Sequence, residues 1–154
     1  MIIDEGMVLK AIALAERTAV AILARKGMTW GPQWVDGIVR VPEMEDFAFS
    51  IGTKTSWNPE WGEGPDFFGF AQAKLETACR TGYGTGTIVA LCPWQLQTGE
   101  NLYPGGVYRM GIGCGISGAV GRADEAIASV VVDMIIMLAH LETDRRQKAD
   151  EMVI

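Results

Sequence analysis

The chain has 154 residues and a mass of 16.7 kDa, enough for one domain spanning 1–154 and too little for two of ordinary size. Hydrophobic residues make up 49% and charged residues 21%, which excludes a disordered chain. The formal charge of −6 disfavours nucleic acid and anionic membranes as partners, because both are polyanions.

The start, Met1-Ile2-Ile3-Asp4-Glu5, is acidic and lacks the apolar run of a secretory signal, so a cytoplasmic location is expected. Residues 7–26 carry Val8, Ile12, Ala15, Ala19 and Ile22 at steps of three and four, which predicts a helix. Arg25 and Lys26 suit its last turn and Gly27 its stop. Asp36-Gly37 between Trp34-Val35 and Ile38-Val39-Arg40-Val41 predicts a β-hairpin over 28–41. Pro32 argues that the first of those strands is irregular or lies at an edge. Residues 43–64 read as a long loop, with a short strand at Phe47-Ala48-Phe49. Loops of that length in small domains are often functional.

Residues 65–81 predict a second helix, opened by Asp66 and ended by Gly82. Three strands are expected next, over 85–92, 107–112 and 114–117. A final helix follows over about 123–148, with Asp124 and Glu125 at its start and Arg145, Arg146 and Lys148 near its end. Its middle, 130–137, is apolar nearly all round. The longest apolar stretch, 127–141, is shorter than the roughly 20 residues a bilayer requires and holds Asp133. It therefore reads as a core helix that also meets a second copy of the chain. The order α-β-β-α-β-β-β-α points to an α/β (α+β) fold, an antiparallel sheet flanked by helices.

Gly113-Cys114-Gly115-Ile116-Ser117-Gly118 fits the spacing of a dinucleotide-binding turn, but no strand follows the last helix to complete the unit. Glycines that permit close packing are the simpler reading. The three cysteines, Cys79, Cys92 and Cys114, form no CxxC pair and read as free thiols. His140 is the only histidine, and a helix-surface or interface position is its ordinary role. No metal-ligand spacing is present.

Seven of the thirteen aromatic residues fall within residues 47–70. They serve either a pocket wall or core and subunit packing. Trp57 and Trp61 flank a loop and favour the pocket or the interface. Lys74 shares the apolar side of its helix with Phe70, Ala71 and Ala78. A lysine so placed binds a carboxylate, acts as a catalytic nucleophile if desolvated, or reaches out to a surface acid. Tyr103 and Arg109 flank Gly105-Gly106, where they either join Lys74 around an anion or face solvent.

Phe70-Ala71-Gln72-Ala73-Lys74-Leu75-Glu76-Thr77-Ala78 resembles the lysine-alanine helix of the GlcG/HbpS-like heme-binding family. Pro104-Gly105-Gly106-Val107, then Gly113 to Ala119, then Asp124-Glu125-Ala126, resemble that family's Gly-Gly-Val strand, glycine-serine turn and helix start. The resemblance implies a profilin-like fold with a five-stranded antiparallel sheet, and a homo-oligomer. It implies that Lys74, Gly105, Gly106, Ser117 and Gly118 border a pocket, and that heme is one ligand of such proteins. Others are encoded beside catabolic enzymes. No axial heme ligand is marked out here. The main expectation is thus a protein of a catabolic pathway that binds a small anionic metabolite without a cofactor. If catalytic, it would act by hydrolysis, deamination or isomerisation. Lys74 would be the catalytic residue, and Trp57, Trp61, Phe70, Tyr103, Gly105, Gly106, Arg109, Ser117 and Gly118 would bind the ligand. Heme binding without catalysis is the alternative.

Overall fold

The computed structural model describes residues 2–30, 33–54, 60 and 64–149. Helix α1 spans Glu5–Leu23. Asp4 opens it, its side chain accepting the Met7 N–H at 2.8 Å. Val8, Ala11, Ala15, Ala19 and Leu23 form the buried stripe that the spacing predicts. The helix ends before Arg25 and Lys26, which fall beyond its last turn.

Strand β1, Gln33–Arg40, runs straight through Asp36-Gly37, so the expected hairpin at that dipeptide does not exist. Gly37 serves packing instead of turning. A Cβ there would sit 2.4 Å from the Phe49 ring and 2.6 Å from Ile116. β1 is a central strand, paired antiparallel with β2 (Phe47–Thr53) on one side and β4 (Ile112–Ser117) on the other. The first reversal lies over 41–46, where Glu43 has φ 64°. The short strand expected at Phe47-Ala48-Phe49 is the first part of β2. Pro32, Trp57 and Trp61 lie outside the described residues.

Helix α2, Phe67–Thr81, starts where Asp66 accepts the Gly69 N–H at 2.9 Å and ends at the left-handed Gly82. The strand expected over 85–92 is instead a short helix, α3 (Thr85–Leu91). Thr-Ile-Val composition favours a strand only where a pleated neighbour is available. Here Thr85 and Ile88, three residues apart, turn inward, and the Gly86 N–H at the start of α3 donates to Glu125 at 2.7 Å. Strand β3 spans Gly106–Arg109, and Met110-Gly111, both at positive φ, turn it into β4. Helix α4, Gly121–Lys148, closes the fold.

Among the described residues the sheet has four strands, all antiparallel, in the order β2-β1-β4-β3. The expected fifth strand is α3, so the element order is α-β-β-α-α-β-β-α. One face carries the main core. Val35, Val39, Phe49, Ile51, Cys114 and Ile116 meet α1 and α4 there. α2 covers the other face, over a smaller cluster of Ile38, Ala71 and Leu75. The helix comes very close, because a Cβ on Gly115 would lie 2.0 Å from the Ala71 carbonyl oxygen. Close packing therefore accounts for the glycine run of β4. α4 is long and apolar enough to cross a membrane by length and composition. Its buried stripe, from Ala123 to Leu138, lies within the core as expected, while Met137 and Leu141 are exposed. Cys114 is buried and Cys79 and Cys92 half-buried, all three as free thiols. His140 is on the surface.

Candidate functional site

α2 carries Lys74 on its sheet-facing side, between the buried Ala71, Leu75 and Ala78. Two glycines make room for it. Gly105 has φ 138°, and a Cβ there would stand 2.9 Å from the lysine's Cδ and Nζ and 2.5 Å from the Ile116 oxygen. A Cβ on Gly106 would stand 2.3 Å from the Lys74 carbonyl oxygen. Lys74 is 3% exposed. Its Nζ donates to Asp124 Oδ2 at 2.9 Å and to the Ile116 carbonyl at 3.0 Å. Neither the ligand-holding nor the surface-pairing role expected of it describes this contact: the acid is itself buried.

Asp124 lies in the first turn of α4, where a carboxylate complements the helix dipole. Its Oδ1 accepts the Ala119 N–H at 2.9 Å. Burial pushes its carboxyl up to about 6, against the opposing pull of the Lys74 ammonium and of the backbone donors. The pair thus links the helix on one face of the sheet to the start of the helix on the other. One charge cancels the other.

Beside the pair is a hollow of about 190 Å³. Trp30, Phe67, Phe70 and Tyr103 form its apolar walls, and Ser117, Gly118, Ala119 and Gly121 its end. Phe67 is held by an edge-on contact with Trp34, ring centres 5.7 Å apart. Trp30 is anchored by its Nε1, which donates to the Ala119 carbonyl at 3.2 Å, yet the indole remains 70% exposed. Phe70, Asn101 and Tyr103 also border a shallow basin of about 470 Å³, shared with Gly69, Ala73 and Leu102.

Of the residues singled out in the sequence, Phe70, Lys74, Tyr103, Ser117 and Gly118 line this hollow. Gly105 and Gly106 lie behind Lys74. Arg109 does not join them: it is exposed on β3 and pairs with Asp133 of α4. Trp57 and Trp61 are outside the described residues. Trp30, Phe67, Asn101 and Asp124 were not singled out as site residues. Asp124 had a signal, since a lysine on an apolar helix face calls for a buried acid. Among the described residues no group of three or more His, Cys, Asp or Glu is placed to hold a metal ion.

No protein-family model and no curated protein matches this sequence. Among solved structures, a crystal structure of HbpS is similar over 81% of this chain and 86% of that one, with 20% identity and a TM-score of 0.50. A double mutant of HbpS from Streptomyces reticuli is similar over 80% of this chain and 82% of its own, with 22% identity and a TM-score of 0.48. The chain therefore has the fold of HbpS, in line with the GlcG/HbpS-like resemblance of its glycine, lysine and acidic motifs.

Proposed function

We propose that this protein binds a flat, largely apolar molecule against the aromatic wall of the hollow, without acting on it chemically. The observation that carries this reading is the Lys74–Asp124 contact. The Lys74 amine is held between a buried carboxylate and a carbonyl, so it would have to give up those contacts to attack a ligand, and Asp124 already supplies the opposite charge beside it. What the hollow then offers is aromatic surface. Arg109 is engaged elsewhere, so the two cations expected around a metabolite carboxylate do not meet.

Heme is the first candidate, suggested by the shared fold and by the donor set. Of the His, Cys, Met and Tyr side chains that ligate heme iron, the described lining of the hollow and basin includes the phenol of Tyr103. The enclosed volume is below the roughly 300–1,000 Å³ of pockets that engulf a ligand. It would take one apolar edge of a macrocycle, with the basin beyond Phe70 and Tyr103 supporting the rest. Trp30, Phe67 and Phe70 would exclude water from that edge, and the carboxylate arms would stay in solvent. Bound heme would supply an iron centre for ligand or electron exchange. Self-association through α4 belongs to the same reading, supported by the exposed Met137 and Leu141 beside the half-buried Val130 and Met134.

The test is a hemin titration followed by the Soret band. Saturation at stoichiometric protein, weakened about tenfold by Phe70→Ala and altered in band position by Tyr103→Phe, supports the heme reading. A weak, featureless titration removes it.

A further inference from the structure

Ser117 ends β4 at the closed end of the hollow and is only 6% exposed. Among the described residues its hydroxyl has no hydrogen-bond partner. The oxygen is not sealed away either: Thr77 Oγ1 is the fully occluded side-chain atom without a partner among the described residues. The surface that Ser117 keeps belongs to the hollow wall. A hydroxyl on the wall of a hollow with no protein partner takes its hydrogen bond from whatever fills the hollow, water or a ligand atom.

A second donor lies next to it. The N-cap of α4, Val120, offers no side-chain cap. The Ala119 N–H goes to Asp124, and those of Ala123 and Asp124 go to the Val120 carbonyl. The N–H of Gly121, which also lines the hollow, has no acceptor inside the helix. The lining at this end thus includes an O–H and an N–H with no partner among the described residues, and one acceptor oxygen would serve both.

Charge decides what carries that oxygen. Lys74 and Asp124 cancel, and Asp124 already complements the dipole of α4. A carboxylate buried here would stand beside Asp124 with no counter-charge of its own. A carbonyl satisfies the same donors without that penalty. We propose that the closed end of the hollow is a subsite for a neutral carbonyl oxygen on a flat ring, in the chemical class of aryl amides, lactams and aryl ketones. This deepens the flat-ligand reading and rests on it.

The experiment titrates the full chain with benzamide, benzoate and toluene, reading backbone amide shifts, with hemin titrated in parallel. Benzamide is expected to move the amides of Ser117, Gly118 and Gly121 saturably and to bind about tenfold more tightly than toluene. Benzoate is expected to bind more weakly than benzamide. Ser117→Ala should cost benzamide more affinity than toluene, and its unchanged amide spectrum without ligand shows that the fold is kept. Benzoate binding more tightly than benzamide, or a Ser117→Ala variant that treats benzamide and toluene alike, overturns the subsite. Hemin saturation with no benzamide shifts also overturns it and leaves the flat-ligand reading standing. Benzamide binding without hemin binding supports the subsite and removes heme alone. If none of the four probes binds, both fall.

Discussion

The two faces of the sheet are built differently. The face toward α1 and α4 is closed by a continuous aliphatic core, with Val35, Val39, Ile51, Ile116, Val131 and Ile135 almost wholly out of solvent. The face toward α2 has a small cluster and several polar groups. Asp36 accepts from Ser50 at 2.6 Å, Arg40 reaches Asp46 and Glu76 at 2.7 and 2.6 Å, and Lys74 reaches Asp124. The first face stabilises by area removed from water. The second holds α2 by close backbone approach and by ion pairs, and it leaves a hollow where that helix begins. The hollow and the smaller apolar cluster therefore lie on the same face.

The sharpest way to break this comparison is to remove half of the buried pair. Lys74→Met leaves the Asp124 carboxylate buried without its partner and should cost about 3–5 kcal/mol in urea unfolding. A loss under 1 kcal/mol would mean that the α2 face does not depend on the pair. Next comes the close approach itself. Gly115→Ala places a methyl 2.0 Å from the Ala71 oxygen, so α2 must shift, at about 1–3 kcal/mol. An unchanged midpoint would show that the helix has room to move.

Protonation separates the polar groups of the α2 face by sign. The folded Asp124 carboxyl lies near 6, above its ordinary 3.8, so the folded state holds its proton more tightly. Its contribution is full below about 3.8 and is lost as pH rises through about 6. Asp46 and Glu76 are held below their usual range by hydrogen bonds from Arg40. Their contribution is present above about 4 and is lost as pH falls through their folded values. Relative to Asp124→Asn, the native chain should therefore lose stability between pH 4 and 6, while Arg40→Gln should flatten the acid limb. Unfolding midpoints across pH check both, and a native chain that gains on Asp124→Asn over that range contradicts the first. The smallest effect belongs to the exposed pair. Arg109→Ala should cost about 0.2–1 kcal/mol and leave hemin titration unchanged. Weaker hemin binding would return Arg109 to the site.

Helices α1, α2 and α4 were legible because their apolar positions repeat, and Asp66 and Gly82 marked the ends of α2; Asp4 as the opening of α1 was not read. Asp36-Gly37 misled because a glycine that admits a neighbouring ring looks the same, in one sequence, as a glycine that turns the chain. Residues 85–91 misled because β-branched composition does not reveal whether a strand edge is free to receive them. At the site, Lys74, Phe70, Tyr103, Ser117 and Gly118 could be read from spacing and resemblance. Trp30 could not, because its approach to Ala119 bridges 89 positions of sequence. The pairing of Lys74 with Asp124, which occupies the lysine expected to hold an anion, also depends on a contact 50 residues apart.

A double-mutant cycle of Lys74→Met and Asp124→Leu, read by urea unfolding, tests the role of the buried pair most directly. A large loss is expected for each single change, and a double variant much more stable than the sum of the two losses implies, since a packed apolar pair can replace a buried ionic one. A Lys74→Met protein as stable as the native chain, with additive single effects, would mean that the lysine is held in reserve for a ligand and not for the fold.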